Sequence, residues 1–147
     1  GFAPSPDAPS EHIQIIPMPD WHKYCNRTGM SNAEMPIFTR TFDFLTWLLP
    51  ATNHFPRAHR HTFTQRLLNA AFELRETLEA ANRKSGVERL ALLHQADELL
   101  DRVRVYLRLA VKWGWLSGGQ YQHVAGMVTE IGKLLGGWIK ASVSARA

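Results

Sequence analysis

The sequence predicts an all-α protein, an up-and-down antiparallel four-helix bundle. Three observations carry this. From residue 36 onward, apolar residues recur in alternating steps of three and four. No segment alternates with period two for long enough to be a strand. Loops of about four to eight residues join consecutive helical segments, which favours antiparallel neighbours. A chain of 147 residues has room for one domain.

Residues 1–35 precede this pattern. Pro4, Pro6, Pro9, Pro17 and Pro19 interrupt any regular period, and the apolar residues there scatter without a repeat. They read as a flexible leader or an appended segment, although the aromatic stretch Asp20-Trp-His-Lys-Tyr-Cys25 has the composition to dock on the domain. The domain proper is expected over residues 36–147.

The first helix, residues 36–49, presents Phe38, Phe42, Leu45 and Leu49 and ends near Pro50. The second, residues 56–82, carries Phe63, Leu67, Ala70, Leu74, Leu78 and Ala81 on one face, with Pro56 suited to the first turn. In the third, residues 87–113, Leu92, Ala96, Leu99, Val103, Tyr106, Ala110 and Trp113 form an unbroken heptad seam. Ser85-Gly-Val-Glu88 reads as its capping box and Gly114 as its stop. A second line beside the seam, Leu93, Leu100 and Leu107, makes the apolar stripe wider than one partner helix requires. Ser117-Gly-Gly-Gln120 caps a last helix with Tyr121, Val124, Val128, Ile131, Leu135 and Trp138 on its inner face. Gly132 and Gly136 are four apart on that helix and Gly137 follows. Each glycine costs roughly 0.5–1 kcal/mol there, so a close-approaching backbone, in the same chain or in a neighbouring subunit, is expected. The leucine line and the glycine notch together predict a homo-oligomer.

The chemistry the sequence lacks narrows its function. A single cysteine, Cys25, excludes an internal disulfide framework and any multi-cysteine metal site. No apolar run is long enough to span a membrane, and the N-terminus lacks the order of a signal peptide, so a cytoplasmic protein is expected. Bundle enzymes with carboxylate-bridged metals need Glu-x-x-His motifs, and there are none. Glu73, Glu76 and Glu79 read as a solvated face, His94 and His123 have poor ligand neighbours, and no nucleophile–base pair can be nominated. Neither a metal, a cofactor nor a catalytic residue is expected.

The cations remain. Residues 1–35 balance at −2 and residues 36–147 at +6, so the basicity lies in the part that folds. Arg57, His59, Arg60, His61 and Arg66 crowd the start of the second helix, with no acid between Arg57 and Phe72. Cations there oppose the helix dipole, a conflict that a polyanionic partner would relieve. On the third helix Arg104, Arg108 and Lys112 form an i, i+4, i+8 row of roughly 12 Å, with Arg102 off the row. Asp101 is placed to pair with Arg104, whereas Arg108 and Lys112 have no acid at helical spacing. A solvated basic surface without a ligand is the plain alternative for both groups.

The third and fourth helices, read as Ala96-Asp97, Leu100, Val103-Arg104, Tyr106-Leu107-Arg108-Leu109-Ala110 and then Glu130-Ile-Gly-Lys-Leu-Leu-Gly-Gly-Trp-Ile139, resemble the accessory variability determinant (Avd) proteins of diversity-generating retroelements. Phe55-Pro56-Arg57, after Leu48-Leu49-Pro50, is similar to the same family. The resemblance covers about residues 37–141. It implies a barrel of five four-helix-bundle protomers that binds the retroelement's reverse transcriptase and nucleic acid. Such a barrel supports mutagenic copying of a template-repeat RNA into cDNA without being a polymerase. It also implies that Arg104 and Arg108, which match the family's third-helix arginines, serve this association. Five copies would concentrate about +30 before pairing or screening, and binding to RNA or DNA would then fall steeply with salt. The wider family includes bundle proteins encoded in intervening sequences of bacterial ribosomal RNA genes. A stand-alone RNA-binding bundle of that type is therefore the second reading, and a small-molecule or metal-binding bundle enzyme a distant third.

Overall fold

A computed structural model describes residues 35–145, and the leader expected before the domain, with its aromatic stretch, lies outside the described residues up to Met35. Four α-helices follow in order: α1 (Pro36–Ala51), α2 (Gln65–Asn82), α3 (Gly86–Lys112) and α4 (Gly118–Ser144). Each helix packs against the next, and α4 closes the bundle on α1. The pairings are antiparallel. Phe38 near the start of α1 meets Trp138 near the end of α4, Trp47 near the end of α1 meets His123 near the start of α4, and Arg89 at the start of α3 reaches the Ala81 carbonyl at the end of α2.

The α2 and α4 core faces follow the periodicity closely, and of the α3 seam Ala96, Leu99, Val103 and Ala110 are buried while Leu92 and Tyr106 are half-buried. Phe63, Leu67, Ala70, Leu74, Leu78 and Ala81 are all buried, as are Val124, Val128, Ile131, Leu135 and Trp138. The first helix departs from expectation. Ile37, Phe38, Thr41, Phe44 and Leu48 are buried, whereas Phe42 is 61% and Leu49 49% exposed. Both rows have helical spacing and lie one residue apart. Thr41 makes the buried row look polar, but its hydroxyl donates to the Ile37 carbonyl at 2.8 Å and accepts from Arg75 Nη1 at 3.2 Å. Its burial therefore leaves no unmet hydrogen bond. Arg75 also donates to the Phe38 carbonyl at 2.6 Å and to Glu79 at 3.1 Å, tying α2 to α1.

Of the four expected helix signals two hold; Pro56 does not stand in the first turn of α2 but ahead of a 3-10 turn that precedes it. At Gly114 (φ +79°) the Trp115 amide donates to the Ala110 carbonyl at 2.8 Å and the Gly114 amide to Val111 at 3.1 Å, a Schellman closure that needs a left-handed residue. At the head of α4 the Gln120 amide donates to Ser117 Oγ at 3.1 Å and the Ser117 amide to Gln120 Oε1 at 2.9 Å, completing the capping box. The Ser85–Glu88 box does not form. The chain enters α3 through Gly86 at φ +60°, Ser85 makes no capping bond, and Glu88 pairs with Lys84 at 3.7 Å instead. Ser117→Ala should therefore lower stability by about 1 kcal/mol in urea unfolding, and Ser85→Ala by only a few tenths.

The second leucine line is not spare surface. Leu93, Leu100 and Leu107 are fully buried within the protomer, because α3 touches both α2 and α4 and so needs two apolar rows. These leucines therefore leave no apolar surface for a neighbouring subunit. The last residue of the predicted seam is not buried: Trp113 is 52% exposed, and Leu116, beyond the Gly114 turn, is buried at this end of the bundle. No helix among the described residues is long and apolar enough to cross a membrane.

Candidate nucleic-acid interface

The route from α1 to α2 is not the simple loop and helix start that the sequence suggested. A 3-10 turn (Thr52–His54), Phe55 and Pro56, a second 3-10 turn (Arg57–His59) and a π turn (Arg60–Thr64) precede α2. Arg57 and Arg60 therefore lie ahead of the regular helix, and the dipole conflict argued for them does not arise in that form. Arg66 alone of the three stands in the first turn of α2. The π turn closes with the Gln65 amide donating to the Arg60 carbonyl, and Phe63 within it is buried against Tyr106, Trp113 and Trp115. Single π turns of this kind are frequent at functional sites. Arg57 and Arg60 line a cleft of about 460 Å³ with Leu49, Asn53, Phe55 and Leu68.

On α3 the predicted row is present but not uniform. Arg104 is partly buried and fixed, with Nη1 donating to Asp101 Oδ1 at 2.7 Å. Its guanidinium lies across α4 at Gly132, where any β-carbon would overlap it. The glycine expected to admit a backbone thus admits this side chain. Among the described residues, nothing comes within 4 Å of where a β-carbon at Gly136 or Gly137 would stand. Trp138 is likewise an internal contact, edge-on to Phe38 at 6.2 Å and 5.9 Å from the Arg89 guanidinium. Arg108 and Lys112 are exposed and form no ion pair among the described residues.

What the tertiary arrangement adds is where these groups meet. Residues 44–72 and 102–129 contain no Asp or Glu. The antiparallel order brings both stretches to the same end of the bundle, as the contacts of Phe63 with Tyr106 and of Trp47 with His123 require. That end carries Arg57, Arg60, Arg66, Arg102, Arg104, Arg108 and Lys112 with no acid within either stretch. The other described residues hold nine acids and seven cations. Sequence reasoning found the two basic groups separately and missed that they share one end. The acid-free stretches themselves were a readable signal. Residues 35–142 match the family model for bAvd-like proteins. A comparison with curated proteins gave no match.

Proposed function

The chain belongs to the bAvd-like family, and from that membership we propose that it is a non-enzymatic accessory subunit that joins a retroelement reverse transcriptase to nucleic acid. In this role it supports mutagenic cDNA synthesis from a template-repeat RNA. The observation that carries the reading is the meeting at one end of the bundle of two acid-free stretches that together hold seven cations. A concentrated positive field of this kind draws phosphate backbones and gains from counterion release. Arg104, held by Asp101 over Gly132, presents a pre-set guanidinium, and Arg108 and Lys112 extend the charge along α3. A planar guanidinium suits phosphate or carboxylate in bidentate fashion, so Arg104 serves either partner.

The proposal includes a ring of five protomers acting in the cytoplasm. Its support within the chain is not the leucine line but the exposed apolar side chains of α1 and α2, Phe42, Leu49 and Phe72, and the open flank of α4 at Gly136 and Gly137. Light scattering should give about 83 kDa for a pentamer of 16.7 kDa chains. A monomer mass at micromolar concentration rules the ring out.

Co-purification tests the function directly. A tagged chain expressed with the reverse transcriptase of the proposed retroelement should retain both that enzyme and RNA through a low-salt wash, and lose RNA first as salt rises. Retention of RNA without the enzyme would favour the stand-alone RNA-binding reading over this one.

A further inference from the structure

The function proposed above uses charge and leaves an aromatic group at the same end of the bundle without a role. Trp113 follows Lys112 directly and is 52% exposed, although its place in the heptad seam predicts burial. Its inner side is firmly held. Phe63 meets it edge-on at 5.6 Å, Trp115 lies at 5.0 Å, and Phe63 and Trp115 are 5.1 Å apart at 80° to each other. His59 stacks on Trp115 at 5.4 Å with an interplanar angle of 21°. The backbone is fixed as well, since Trp113 caps α3 and Gly114 closes the helix behind it.

An indole held by its neighbours and half exposed can serve as a stacking platform. Every nucleobase has a π-face, so such a platform takes any base that is free of its own stack. A duplex hides those faces and offers this tryptophan nothing beyond its phosphates. The surroundings select the occupant by charge. Trp113 lies within the acid-free stretch 102–129 and packs on Phe63, within the acid-free stretch 44–72, so the chain around it suits a polyanion.

We propose that Trp113 stacks on an unpaired base, so that this end of the bundle binds single-stranded RNA or DNA in preference to duplex. This rests on the nucleic-acid role proposed above and adds the form of the ligand and the point of contact. The neighbouring cations take the phosphates and the indole takes the base. The strand is therefore held by two terms that respond differently to salt, because stacking is insensitive to it and phosphate contacts are not.

The test uses the full chain with fluorescein-labelled single strands of roughly twelve nucleotides, RNA and DNA, and a duplex of the same length. Anisotropy titrations are run across a salt series. Trp113→Leu keeps an apolar side chain against Phe63 and Trp115 but has no π-face. It should weaken single-strand binding about tenfold, leaving duplex affinity and the salt slope unchanged. Trp113→Phe should restore most of the loss. In the unaltered chain, photocrosslinking to a bromouridine strand should place an adduct on Trp113, a readout that needs no variant to fold. Equal weakening for strand and duplex, unchanged strand binding in Trp113→Leu, or crosslinks confined to other residues would each overturn the stacking role while leaving the electrostatic reading in place. If Trp113→Leu releases the reverse transcriptase but not the strand, the indole is a protein contact and the proposal is wrong. Failure of the unaltered chain to bind strand or duplex removes both the inference and direct nucleic-acid contact.

Discussion

Reversing Arg104 and Arg108 together to glutamate should leave the circular dichroism helical and remove most of the proposed nucleic-acid binding. Each reversal changes the local charge by −2. Arg108 has no acid partner among the described residues, and Arg104 has Asp101. If both arginines neutralise phosphates, the slope of log K against log salt drops by about two, one unit for each phosphate left without its cation. The fold should tolerate the change because the core of α3 is made by Leu93, Ala96, Leu99, Leu100, Val103, Leu107 and Ala110, none of which is touched. Arg104→Glu does set a second carboxylate three residues from Asp101, a like-charge pair worth a few tenths of a kcal/mol against the helix. Replacement by lysine separates the two arginines. Arg108, exposed and unpaired among the described residues, should tolerate it as a point charge. Arg104, oriented by Asp101 across Gly132, should not, because lysine lacks the planar fork. A folded double-glutamate variant that binds RNA and the reverse transcriptase as the parent does would remove both residues from the interface.

The largest loss of stability is expected at Leu100. Leu100→Ala should cost about 2–5 kcal/mol in chemical denaturation, since its side chain is wholly buried between α3 and its neighbours and approaches Gly132 on α4. Leu93→Ala and Leu107→Ala should fall in the same range. Phe42→Ser and Leu49→Ser form the contrasting pair. Both side chains are about half or more exposed, so protomer unfolding should change little while the mass in solution falls towards that of one chain. If instead Leu100→Ala leaves stability intact and only dissociates an oligomer, the leucine line faces a neighbouring subunit after all.

Much of this bundle was readable from spacing and end signals. The inner faces of α2 and α4 follow from steps of three and four, because a residue's neighbours on a helix face are set by the helix itself. The closures at Gly114 and Ser117 are equally local: one needs a left-handed residue, and the other needs a hydroxyl and an amide three residues apart. Ser85 shows the limit of such signals. Its sequence fits a capping box as well as that of Ser117, but the tight turn through Gly86 leaves its side chain with no capping bond.

Periodicity says which residues share a face and is silent about what that face meets. On α1 two rows satisfied it, and Arg75 reaching over from α2 completes the one that contains Thr41. On α3 it could not assign the second leucine row to α2 and α4 rather than to another subunit, nor foresee that Trp113 stands half exposed where the helix ends. The basic groups are the clearest case. By itself the sequence determined that Arg57, Arg60 and Arg66 are grouped, that Arg104, Arg108 and Lys112 are aligned, and that few acids lie near either group along the chain. Only the antiparallel packing decided that the start of α2 and the end of α3 lie side by side. Coulomb fields add over space and not along sequence, so that adjacency turns two modest clusters into one strongly positive end.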